Sequence, residues 1–120
     1  MALIVASLSI EMVAAVRPLV GRIRRHDRSL ADQLVRAASS VALNVAEAEY
    51  DAAKSPEGDS DPGTKRARFF TAAGSANETR AALRVGAAWG YFAAEEAEAA
   101  EALLGRILAA LWRLTRGCGG

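Results

Sequence analysis

Apolar residues recur along this chain at intervals of three and four, the spacing that puts them on one face of a helix. Leu8, Met12, Ala15, Leu19 and Ile23 make the first stripe and predict a helix over 3–26. Pro18 lies inside it, and a helix-interior proline removes a backbone hydrogen bond, so a bend or two collinear pieces are expected. Asp27-Arg28-Ser29 is a short break, and Ser29 with Asp32 three residues on resembles a capping box. Leu30, Leu34, Ala37, Val41, Val45 and Ala48 then predict a second helix over 29–53. Residues 54–63 are nearly all turn formers and acids and read as a loop. A third helix is expected over 64–90, with Phe69, Ala73, Ala76, Leu83 and Ala87 inward and Gly90-Tyr91 ending it. The fourth, over 94–116, opens on Glu95, Glu96, Glu98 and Glu101, which suit the positive end of the helix dipole. Leu104, Ile107, Leu108, Leu111 and Leu114 form its apolar face, and 117–120 read as a flexible tail. No strand-like alternation occurs. The expectation is one all-α domain over 1–120, an antiparallel up-down-up-down four-helix bundle.

Composition supports this and excludes several classes of function. The 120 residues suffice for one small domain, and at 52% hydrophobic they can form a core. Alanine accounts for 28 positions against three prolines, a bias toward helix. A single cysteine, Cys118, allows no internal disulfide, so a reducing cytoplasm is the expected location. The apolar N-terminus has no basic residue before it, and Glu11 and Arg17 interrupt it, so a soluble chain with no membrane partner is expected. One histidine, His26, and one distant cysteine do not make a zinc site, and no glycine-rich phosphate loop occurs. No catalytic residue, metal or cofactor is assigned.

Polar residues on the inner helices suggest an internal seam. Arg36, Ser40, Asn44 and Glu47 share one face of the second helix, and Thr71, Ser75 and Glu78 share one face of the third. A hairpin pivoting near Gly58 sets Ser40 opposite Asn77 and Asn44 beside Gly74 and Ser75. It brings Arg36 to Glu78, and Glu47 level with Arg66 and Phe70. The structural reading is a hydrogen-bonded network that fixes register and oligomer geometry. The chemical reading is a metal-binding or catalytic pair, Glu47 and Glu78, but no Glu-x-x-His accompanies it. The structural reading is preferred.

The net charge of +1 conceals segregation: residues 17–36 and 64–84 are each basic, and 47–61 are acidic. Arg22, Arg24, Arg25 and Arg28, together with Lys65, Arg66 and Arg68, are the candidate contacts to a phosphate backbone of RNA or DNA. Against that reading, the isoelectric point is only about 7.9 and no aromatic residue interleaves with the arginines to stack on a base. Gly21, Gly74, Gly86, Gly90 and Gly105 invite close helix approach, within the bundle or across a subunit boundary. Trp89, Tyr91, Phe92 and Trp112 are candidates for an interface core or for plugs at the bundle ends.

The stretch from Leu30 to Glu47, then Phe69-Phe70, Ala73-Gly74-Ser75-Ala76-Asn77-Glu78 and Trp89-Gly90-Tyr91-Phe92, resembles a bacterial family. These are the four-helix-bundle proteins encoded in intervening sequences of large-subunit ribosomal RNA. Ala48 departs from the glycine usual in that family, as does the acidic 54–63 segment. The resemblance implies a ring-shaped homopentamer without established activity. It also implies distant similarity to the accessory protein of diversity-generating retroelements, which binds nucleic acid. Two functions follow as expectations: a non-enzymatic oligomeric scaffold or adaptor, or a nucleic-acid-binding accessory protein.

Overall fold

Long stretches of alanine, leucine and arginine with few interruptions leave helix as the cheapest ordered state of most of this chain. A computed structural model describes residues 2–54 and 62–118. These form α1 (Ala2–Arg24), α2 (Arg28–Lys54), α3 (Pro62–Ala88) and α4 (Glu98–Cys118), with a short 3-10 turn over Ala94–Ala97 before α4. Most of the acidic loop, residues 55–61, lies outside the described residues.

Each helix packs on its sequence neighbours, and α4 returns to α1, so the four axes occupy the corners of a square. Diagonal helices barely touch. The rod measures 50 × 21 × 19 Å. In this arrangement the α1–α2 face and the α3–α4 face point in opposite directions, a fact on which assembly depends.

The core is built from Val5, Leu8, Met12, Val16, Leu19 and Ile23 on α1 and from Leu34, Val41 and Val45 on α2. Phe69, Ala76 and Leu83 on α3 and Leu104, Ile107 and Leu111 on α4 complete it. Ala15, Ala73 and Ala87, expected inward, pack only at its margin. The stretch Ile4–Arg24 has a mean hydropathy of 1.6 and is long enough to cross a bilayer, despite Glu11 and Arg17. A third of it is buried inside the bundle.

Three local devices shape the helices, and one of them, the α2 N-cap, departs from the sequence reading. Pro18 does not break α1, which is continuous from Ala2 to Arg24. Pro18 and Ala14, whose carbonyl loses the bond, both lie on the exposed side of the helix, so the freed group is not buried in the core. The α2 N-cap is Asp27 rather than Ser29: Asp27 Oδ1 accepts the Leu30 amide at 3.0 Å. Asp32 is thereby free to pair with Arg24, at 2.8 Å. At the far end of α3, Gly90 has φ +81°, the Gly90 amide bonds the Ala87 carbonyl and the Tyr91 amide bonds the Gly86 carbonyl. That is a Schellman cap with glycine at its left-handed position.

Of the helical glycines, Gly86 is the one a tight internal contact requires. A Cβ there would sit 2.8 Å from Phe92 Cε1 and 3.3 Å from Ile23 Cδ1. Phe92, 3% exposed, thus folds back under the cap and closes the core at this end.

Candidate functional site

Short polar side chains meet between α2 and α3. Ser75 Oγ donates to Ser40 Oγ at 2.7 Å, and Asn44 Nδ2 donates to Ser40 O at 2.9 Å and Ser40 Oγ at 3.0 Å. One turn further toward the loop, Arg68 forms an ion pair with Glu47. The Ser40–Ser75 and Glu47–Arg68 contacts share one antiparallel register, shifted two residues from the expected Ser40–Asn77 pairing. Two residues are about 200° of helical rotation, enough to move a side chain off the seam. Arg36 and Glu78 are both exposed and do not pair with one another or with any other described residue. The expected Arg36–Glu78 bridge is therefore absent: the observed register sets the two residues nearly level, but both project from the outer faces of their helices into solvent. Glu47 is engaged by Arg68 while Glu78 lies about ten residues of helix away, so the two carboxylates do not face each other. Among the described residues, no group of three His, Cys, Asp or Glu side chains gathers as a metal site.

The candidate phosphate contacts fall into two sets. Arg22, Arg24, Arg25 and Arg28 surround the α1–α2 turn, whereas Lys65, Arg66 and Arg68 lie near the start of α3. The 23 residues from Lys65 to Ala88 separate those ends by about 35 Å, so no single patch contains both. Most of these cations are also engaged. Arg22 pairs with Glu96, Arg24 with Asp32 and Arg68 with Glu47. Arg66 lies over the Phe70 ring, 5.4 Å from its centroid, and Lys65 is 6.0 Å from the centroid of Phe69. Arg25 and Arg28 are exposed and form no ion pair or hydrogen bond among the described residues.

Two apolar surfaces lie on the opposite long faces. Between α1 and α2, Ile10, Val13, Val16, Val20, Val35 and Ala38 line an open groove of about 380 Å³. Ile10 is 65% exposed at its edge. Between α3 and α4, Phe70, Ala73, Leu108 and Trp112 line a second hollow of about 310 Å³ together with Asn77 and Thr115. Phe70 is 51% and Trp112 59% exposed there. Gly21 and Gly74 point outward next to these faces, and a Cβ on either would meet nothing within 4 Å.

Sequence reasoning missed a third feature, at the end where α1 meets α2. His26 and Tyr91 stack with ring centroids 4.9 Å apart and planes 1° from parallel. Tyr91 also lies parallel to Trp89, at 6.5 Å and 16°. The Tyr91 hydroxyl points at Asp27 Oδ2, 3.5 Å away. Partial desolvation, reinforced by the Asp27 charge, keeps the phenol protonated beyond its usual range. The available signal was the Trp89-Gly90-Tyr91 triplet, since a glycine cap between two aromatics fixes both rings against the neighbouring turn.

The sequence model of the 23S rRNA-intervening sequence proteins matches residues 1–113. The chain belongs to that family. Among solved structures, this member is similar to a protein of unknown function from the S23 ribosomal protein family of Bacteroides thetaiotaomicron. The two are 19% identical with a TM-score of 0.78, and the match covers 92% of this chain and 97% of that one. At that identity the likeness shows a shared fold. No curated protein matches it.

Proposed function

We propose that this family member is a non-enzymatic structural subunit, a scaffold or adaptor that works by assembling with copies of itself. The observation that supports this reading is the pair of unlike apolar surfaces on opposite faces of one bundle. When the α1–α2 groove of one copy receives the Phe70–Trp112 surface of the next, the contact is heterologous, and such contacts propagate into a closed ring or a filament. Closure at five copies is the assembly that the family resemblance implies. The outward glycines fit the same reading. Helix-interior glycine costs about 1 kcal/mol against alanine, and neither Gly21 nor Gly74 gains a contact within the subunit in exchange. Close approach of a neighbouring helix supplies one.

Sedimentation equilibrium tests the proposal. The expected result is a species several times 12.6 kDa. Ile10→Lys, at an exposed position, is expected to release folded monomer with unchanged helical circular dichroism. A wild-type chain that sediments at 12.6 kDa rejects self-assembly, and one that pellets with lipid vesicles assigns the apolar face of α1 to a membrane instead.

A further inference from the structure

The aromatic stack lies at the end of the bundle where Arg25 and Arg28 are exposed without an ion pair, and the core there is closed without its outermost ring. Phe92 already closes the core there, packed on Gly86 and Ile23. Trp89 nevertheless stays 70% exposed, held in place by the Schellman cap and by Tyr91. A large ring fixed by its neighbours and open on its face is the geometry of a stacking platform. The charges around it are sorted. Arg22 and Arg24 are matched by Glu96 and Asp32, and the Asp27 carboxylate caps the Leu30 amide while keeping its charge. Arg25 and Arg28, on either side of His26 and Asp27, are exposed and form no ion pair or hydrogen bond among the described residues.

We propose that this corner binds an unpaired base of single-stranded nucleic acid, stacked on Trp89, with the adjoining phosphates against Arg25 and Arg28. Stacking selects single strands, because the faces of paired bases are already covered by their neighbours. Two guanidiniums without carboxylate partners supply the phosphate contacts at no cost of broken ion pairs. Glu95 and Glu98, exposed toward α4, repel a backbone and so direct the strand to the α1–α2 side. The site uses neither apolar long face, and it stands whether or not the subunits assemble.

The test is the anisotropy of labelled oligouridylate and oligothymidylate, competed with a duplex of equal length and with uridine monophosphate, at low and high salt. The wild-type chain is expected to bind both single strands at low salt and the duplex more weakly. Trp89→Ala should weaken single-strand binding about tenfold to a hundredfold, and Trp89→Phe should restore most of it. Arg25→Ala with Arg28→Ala should lower the slope of log affinity against log salt by about 1.4. Far-ultraviolet circular dichroism of each variant checks that the bundle is intact. Absence of single-strand binding at low salt overturns the proposal. So does equal affinity for duplex, affinity unchanged in Trp89→Ala, or uridine monophosphate competing as well as the oligomer.

Discussion

The two seams along α3 hold it to its neighbours by different means. Toward α2 the half-buried contact is made by short, uncharged groups: Ser75 and Asn44 each bond Ser40 within 2.7–3.0 Å, none with more than two side-chain rotations to lose. The ion pair of Arg68 with Glu47 lies farther toward the loop. Toward α4 the polar contact is made by long charged arms. Glu101 Oε1 accepts from Arg80 Nε at 3.1 Å, and Glu101 Oε2 from Arg84 Nε at 3.2 Å. Short side chains bond only at one alignment of the helices, so the α2 seam fixes register. Long arms tolerate sliding, so the α4 seam contributes attraction without specifying position. The difference also explains the outer surfaces. The α3–α4 helices stand far enough apart for the Phe70–Trp112 hollow, whereas the serine seam draws α2 and α3 together.

Breaking the charged seam should have the larger effect. Glu101 is 28% exposed and serves two arginines, of which Arg80 is 26% exposed. Glu101→Ala leaves Arg80 half-buried without a carboxylate, at a cost of about 1–2 kcal/mol. For a domain of this size that lowers Tm by about 4–8 °C, readable by thermal denaturation. Part of the loss should disappear at high salt, where the wild-type pair is itself screened. Loss that is the same at every salt concentration would show that the seam is held by packing of the arginine stems rather than by charge.

The serine seam should respond in the opposite pattern. Ser40→Ala removes the acceptor of Ser75 and one of the two acceptors of Asn44, which keeps the Ser40 carbonyl, and so strands one half-buried donor, costing about 1 kcal/mol with no dependence on salt. Adding Ser75→Ala removes that stranded donor and should recover part of the loss, because deleting both partners of a hydrogen bond is milder than deleting one. Strict additivity of the two substitutions would mean that the serines do not act on each other. The same comparison disposes of Glu78. Exposed and unpaired, it should be replaceable by alanine with almost no change in Tm.

How far the sequence foretells this architecture depends on whether the signal is local. Four helices were legible because Leu8–Ile23, Leu30–Ala48, Phe69–Leu83 and Leu104–Leu114 each repeat at helical spacing within one element. Serine and asparagine on facing stripes were legible as a seam for the same reason. Their alignment was not, since it depends on the pivot within 54–63, and an uncertainty of two residues there moves every cross-helix pair. Arg36 and Glu78 stand nearly level in the observed register and fail to meet because both point outward from their helices. Asp27 was overlooked as a cap because Ser29 with Asp32 imitates one in sequence. The aromatic corner joins His26 to residues more than sixty positions away, and no periodicity within a helix reports such a contact.

Acid should weaken the α1–α4 and α1–α2 ends of the bundle, and this is the smallest effect expected. The Ala93 amide, and after it Arg22, holds the Glu96 carboxyl below its ordinary 4.5. The hydrogen bond from Arg24 holds Asp32 below its ordinary 3.8. A carboxyl whose folded value is depressed binds its proton more readily in the unfolded chain. Its contribution to stability is therefore complete above the ordinary value and is lost as pH falls through the depressed one. Tm should stay level from neutrality to about pH 5 and then decline. Glu96→Gln keeps an oxygen for the Ala93 amide but no charge for Arg22, and with Asp32→Asn it should flatten that decline. A Tm that rises on acidification, or a decline of equal depth in the double variant, would assign the acid sensitivity to other carboxylates.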